Sequence, residues 1–122
     1  ISTGRYTIWK VVLDIFYDYP MGTGEAGYFD EITRRYKFVD PHNLFLYVLV
    51  CGGALSFILL LLFFLSLLKK SFIAYKNGDV LPLILFCFML FISAKTGGVL
   101  TYLPMWYFFA IVNQTKTSYI EE

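Results

Sequence analysis

The sequence predicts an all-α, polytopic integral membrane protein, and three observations carry that expectation. Apolar residues make up 58% of the chain and charged residues only 16%, a balance outside that of an ordinary soluble domain. Leu44 to Leu68 contains no charge at all, and at about 1.5 Å per residue it exceeds the roughly 30 Å of a hydrocarbon core. Two further apolar runs follow it, 80–94 and 101–112, separated from it by a short segment rich in lysine.

Residues 1–42 form a polar, aromatic-rich block that opens with an amphipathic helix over 4–19. Ile8, Trp9, Val12, Leu13, Ile15 and Phe16 recur at helical spacing, while Lys10, Asp14 and Asp18 share the opposite face. Ser2 or Thr3 suits the N-cap and Pro20 stands just beyond the end. Pro20, Gly22, Gly24 and Gly27 then predict irregular backbone, with a short helical turn around Asp30 to Tyr36. A transmembrane helix is expected over 43–68, followed by a loop over 69–79 that turns at Asn77 and Gly78.

Lys69, Lys70 and Lys76 put that loop in the cytoplasm by the positive-inside rule. Residues 1–42 then lie on the outer face, the periplasm or exterior of a bacterium. A second transmembrane helix over 80–94 returns outward, 95–100 makes an outer turn, and 101–112 is a short transmembrane or re-entrant helix. The tail, 113–122, falls back in the cytoplasm. The chain begins without an initiator Met or a signal pattern and so reads as a piece of something larger.

Composition also excludes classes. A net charge of +1 with dispersed cations lacks the footprint of a nucleic-acid binder. One histidine among scattered carboxylates offers no metal-ligand spacing. Cys51 and Cys87 sit inside apolar runs, where a thiol behaves as a small hydrophobe. Gly22, Gly24 and Gly27 spell G-x-G-x-x-G, but no strand precedes them, so the pattern is read as positive φ and close backbone approach rather than dinucleotide binding.

His42 is the candidate for chemistry. Asp40 as cap and Pro41 at the first helical position set it in the first turn of the spanning helix, where the positive dipole end favours a neutral ring able to accept a proton. Residue physics leaves a second reading open, an interfacial side chain anchoring the helix end, with Asn43 as the alternative cap. Arg5, Arg34, Arg35 and Lys37 lie on the same outer face, and a guanidinium fork suits phosphate oxygens. Solvated surface is the default account of each one singly, and attraction to lipid headgroups also explains the group without catalysis.

The stretches "STGRYTIWKVVLDIFYDYPMGTGEAGYF" and "DPHNLFLYVLV" resemble the O-antigen ligase and O-antigen polymerase family of bacterial polysaccharide assembly, with Gly4, Arg5, Trp9, Pro20, Gly22, Gly24, His42, Asn43 and Leu46 in the family's order. The resemblance covers roughly the first 60 residues. It implies an inner-membrane, multi-pass glycosyltransferase with its active loop on the periplasmic face, of which this chain is a C-terminal fragment, inactive without its missing N-terminal helices. The donor would be a polyprenyl-diphosphate-linked glycan and the acceptor a glycan or lipid A core, with membrane lipid around it and neither cofactor nor metal. By the resemblance His42 is catalytic, orienting or deprotonating the acceptor hydroxyl, and Arg5 holds the diphosphate. Arg34 and Arg35 are further diphosphate contacts without a firm family counterpart. Where the family often carries a Glu, about nine residues after the His, this chain has Cys51.

The alternative is a non-enzymatic membrane scaffold or assembly subunit, in which Arg5 and His42 only anchor the outer helix. A transporter fragment fits less well, because the apolar runs hold Lys95 and no ion-relay carboxylate.

Overall fold

A computed structural model describes residues 3–37, 41–95 and 103–114. Five α-helices account for 85% of the described residues, and no strand occurs among them. Ser2, Asp40, the expected outer turn after Lys95 and the tail after Gln114 lie outside the described residues.

Helix α1, Thr3–Asp18, buries Ile8, Val12 and Ile15, one narrow stripe at i, i+4 and i+7. Trp9 and Phe16 flank it, half-buried. Leu13, about 100° further round the helix than Val12, is exposed. Helix α2, Gly24–Arg35, runs through the segment that its glycines predict to be irregular. Gly24 opens the helix at positive φ, and Gly27 inside it costs about 1 kcal/mol. Tyr28 and Ile32, one turn apart and wholly buried against α1 and the start of α3, outweigh that cost. Glu25 in the first turn and Arg34 and Arg35 in the last complement the helix dipole.

Helix α3, Leu44–Lys76, is two helical arms joined at Gly53, whose φ of 80° and ψ of −177° are non-helical. In an unbroken helix Phe45 and Phe64 would stand roughly 28 Å apart. Their ring centroids are 5.4 Å apart, so the short arm before Gly53 folds back along the long arm after it. The broken turn is filled by the α1–α2 connection. Ala54 N–H, which would have bonded Val50 C=O, donates to Pro20 C=O at 3.0 Å, and Val50 C=O accepts from Thr23 N–H at 3.0 Å. Thr23 Oγ1 lies 3.2 Å from the same oxygen.

This exchange needs glycine on both sides. Gly22 has φ +95°, and a Cβ there would stand 2.6 Å from Cys51 O. A Cβ on Gly53 would overlap the carbonyl of Met21.

The long arm extends beyond Leu68 through Lys69 and Lys70 and ends in a Schellman motif, with Asp79 N–H on Ala74 C=O and Gly78 N–H on Tyr75 C=O, at Gly78 with φ +89°. Asp79 Oδ1 then accepts from Leu81 N–H and starts α4, Leu81–Lys95. Helix α5, Leu103–Asn113, packs on both. Phe64, Leu67, Phe86, Met89, Met105, Phe109 and Val112 make their shared core, which Leu44 of the short arm joins. Ser71 Oγ, buried, donates toward Leu67 C=O and Pro82 C=O, and Lys70 Nζ donates to Asn113 O and Oδ1, closing the end of α5.

Gly22→Ala and Gly53→Ala are each expected to destabilise the fold by more than about 2 kcal/mol, since strain at positive φ adds to a backbone clash. Gly78→Ala, with open space around its Cβ position, should cost only about 1 kcal/mol. Thermal unfolding followed by circular dichroism separates the two classes; equal shifts at all three positions would contradict the interlocked turn.

Candidate functional site

The start of α3 holds His42 and the residues that fix its backbone. Pro41 is buried, and its carbonyl accepts a 3.0 Å hydrogen bond from Trp9 Nε1–H. That bond ties the middle of α1 to the residues leading into α3. Asn43 is the N-cap: its extended backbone stands outside the helix while Oδ1 accepts from Phe45 N–H at 2.9 Å and Leu46 N–H at 3.2 Å. Its Nδ2 donates to Ala94 C=O at 3.3 Å, in the last turn of α4. One amide therefore joins the orphan donors of one helix to an orphan acceptor of another.

His42 lies between these two fixed points. It is exposed, and among the described residues it is the one non-glycine with positive φ, at 51°. Because Asn43 takes the cap, His42 stands beside the first turn of α3 rather than in it. Left-handed backbone costs a non-glycine residue about 1–2 kcal/mol, and the buried Pro41 before it and the capping Asn43 after it hold it there.

Arg5 lies one turn before Trp9 on the same side of α1, and so on the flank that carries the bond to Pro41. It is exposed and forms no ion pair among the described residues.

Arg34 and Arg35 sit elsewhere. Glu31 accepts from Arg34 Nη2, from Arg35 Nε at 3.0 Å and from Tyr19 Oη at 3.3 Å, and Arg35 Nη2 also reaches Asp18 at the end of α1. Asp18 is thirteen residues beyond Arg5, roughly 20 Å along the helix. The structure thus gathers Arg34 and Arg35 at the Asp18 end of α1, away from Arg5, while His42 follows the residue bonded to Trp9.

In this second cluster the Arg34 hydrogen bond holds the Glu31 carboxyl below the usual carboxylate range, against a desolvation that pushes it up, with Arg35 adding to the lowering. Both guanidinium groups are raised, Arg34 by Glu31 and Arg35 chiefly by Asp18. Two carboxylates offset two guanidiniums, so the cluster is a clamp between α1 and α2 before it is an anion site. The Glu31, Arg34 and Arg35 spacing, i, i+3 and i+4, was visible in the sequence. The Asp18 contact and the Trp9 bond to Pro41 depend on how the helices meet.

Cys51, half-buried, packs against the apolar cluster of α1 and α2 beside the break in α3. Beneath the Asn43 end lies an apolar cavity of about 210 Å³, walled by Leu44, Leu60, Phe63, Phe64, Trp106 and Phe109. No protein-family model, no curated protein and no solved structure matches this chain.

Asn43→Ala should lower stability by about 1 kcal/mol or more, and Asn43→Asp, which keeps the cap oxygen, by less. Acid titration of unfolding tests the clamp. A carboxyl with its pKa lowered by folding contributes fully above the ordinary carboxylate range, and loses that contribution as pH falls through the lowered value. Glu31→Gln should flatten that part of the profile; an unchanged acid limb would show that the clamp contributes nothing.

Proposed function

We propose that this chain is part of a polytopic integral membrane glycosyltransferase of the O-antigen ligase or polymerase type, with α1, α2 and the start of α3 on the outer face. The observation that carries the reading is the Trp9 bond to Pro41, which ties α1, the helix that bears Arg5, to the residue before His42. The membrane part is supported by the long arm of α3, residues 54–76, whose charge-free stretch to Leu68 is about 22 Å in length. Its Leu55, Ile58, Leu59, Leu62 and Leu65 are all more than half exposed, and Ile84, Phe91 and Leu103 continue that apolar surface on α4 and α5. Hydrocarbon or further helices of a longer protein would cover it.

In the proposed reaction the acceptor sugar hydroxyl loses its proton to the His42 imidazole as its oxygen bonds to the donor's anomeric carbon. The bond from that carbon to the diphosphate oxygen breaks, and the leaving diphosphate takes the bonding electron pair. The Arg5 guanidinium faces the charge so formed. Arg5 is favoured over Arg34 and Arg35 for this role because both of those are engaged by Glu31. The apolar cavity below Leu44 offers a wall for a lipid tail of the donor.

One observation favours the second reading, a non-enzymatic scaffold: the Arg34, Arg35, Glu31 and Asp18 cluster serves the packing of α1 on α2 with no ligand needed.

The test uses the full-length protein in proteoliposomes, measuring glycan transfer from a polyprenyl-diphosphate donor. His42→Ala should lower the rate by about 10²-fold or more, and Arg5→Gln should lower it while Arg5→Lys recovers part. Transfer at the parental rate by a folded, inserted His42→Ala variant sinks the catalytic reading. The scaffold reading expects that result, with assembly lost only when the outer helix is broken, as by Ile15→Asp at a fully buried position.

A further inference from the structure

The lysines near the end of α3 divide by role. Lys70 is engaged inside the molecule, on Asn113 at the end of α5. Lys69 and Lys76 are exposed and project on the face away from Leu67, Ser71 and Ala74, the residues that α3 buries toward α4. Among the described residues no carboxylate pairs with either. Together with Leu65, Leu68, Phe72 and Ile73 they line an open groove of about 390 Å³.

The order along the groove is that of an amphiphile. Leu65 and Leu68 lie toward the apolar middle of the arm, Phe72 and Ile73 come next, and the ammonium groups bracket them at Lys69 and Lys76, about 10 Å apart along the axis. Lysine stems are long and flexible, so both heads can converge on one group between them while their methylenes cover the groove. The negative end of the helix dipole lies close by, but its last carbonyls already accept bonds from Asn77, Gly78 and Asp79. Asp79 itself has Oδ1 on Leu81 N–H.

We infer that this groove is a binding site for one anionic phospholipid, its phosphodiester held by Lys69 and Lys76 and an acyl chain lying along Leu65, Leu68 and Phe72. Charge complementarity selects the head, since two cations without a partner carboxylate favour an anionic lipid over a zwitterionic one. Half-exposed Phe72 and Leu65 select the tail. The inference rests on the proposal that the long arm of α3 lies in a bilayer, and it is independent of any glycosyl transfer.

The experiment is native mass spectrometry of the full-length protein in detergent, titrated separately with dioleoyl phosphatidylglycerol, dioleoyl phosphatidylcholine and soluble glycerol phosphate. The anionic lipid should bind roughly thirtyfold more tightly than the zwitterionic one. The preference should vanish in the K69Q/K76Q double variant and survive in K70Q, and glycerol phosphate should not bind where the lipid saturates. Equal binding of the two lipids, an unaltered preference in K69Q/K76Q, or glycerol phosphate binding as tightly as the lipid would each overturn the site. Carbonate extraction of membranes checks the underlying reading separately: release of the chain removes the membrane proposal, whereas a retained chain that fails the lipid titration removes only this site.

Discussion

A single exchange of backbone hydrogen bonds organises this molecule. Val50 C=O and Ala54 N–H belong to each other in any regular helix, and here both are given to the α1–α2 connection instead, the carbonyl to Thr23 and the amide to Pro20. Breaking a helix inside an apolar environment normally strands two polar groups at a cost of several kcal/mol. Because both find partners, the break is stable, and the chain can reverse direction in the middle of its longest apolar run. The fit is between two backbones, which is why Gly22 and Gly53 face one another with positive φ on both sides.

The rest of the arrangement follows from that reversal. The short arm of α3 lies between two apolar clusters, with Leu46, Val50 and Cys51 turned to α1 and α2, and Leu44, Phe45 and Val48 turned to the core of the long arm, α4 and α5. A helix sandwiched in this way is apolar all round because protein covers it. The long arm is also apolar all round, but much of its surface is exposed. One uninterrupted apolar run therefore contains two segments with different physical reasons for being apolar.

That difference explains how far the sequence could be read. Helices α1 and α3 were legible, since Ile8, Val12 and Ile15 mark α1 by their spacing and the charge-free run marks α3. The break at Gly53 was not, because Gly52 and Gly53 inside a charge-free run of twenty-five residues carry no periodicity to interrupt. Helix α2 was hidden for the opposite reason: Gly24 and Gly27 are strong local signals for irregular backbone, and the burial of Tyr28 and Ile32 that overrides them is a tertiary effect. At the site, the residues were legible and their grouping only in part. Glu31, three and four residues before Arg34 and Arg35, marks those two as paired along α2, but only the packing of α2 on α1 adds Asp18 to Arg35.

The backbone at His42 bears on the choice between an anchor and a base. An interfacial anchor needs a side chain at the right depth, and a flexible residue in relaxed conformation supplies that. A proton acceptor needs a fixed origin for its ring, because transfer requires hydrogen-bond reach to a defined hydroxyl. The backbone of His42 supplies a fixed origin of that kind, which supports the proposed role. Its backbone is held at positive φ between Pro41, pinned by Trp9, and Asn43, pinned at both ends of its amide to α3 and α4. Strain of this kind persists only where the surroundings over-determine it. Here the surroundings trace back to the break at Gly53, which alone brings the start of α3 within reach of Ala94. The backbone of the histidine adjacent to the cap is thus positioned from three directions, and that is the physical ground for proposing it as the group that handles the proton.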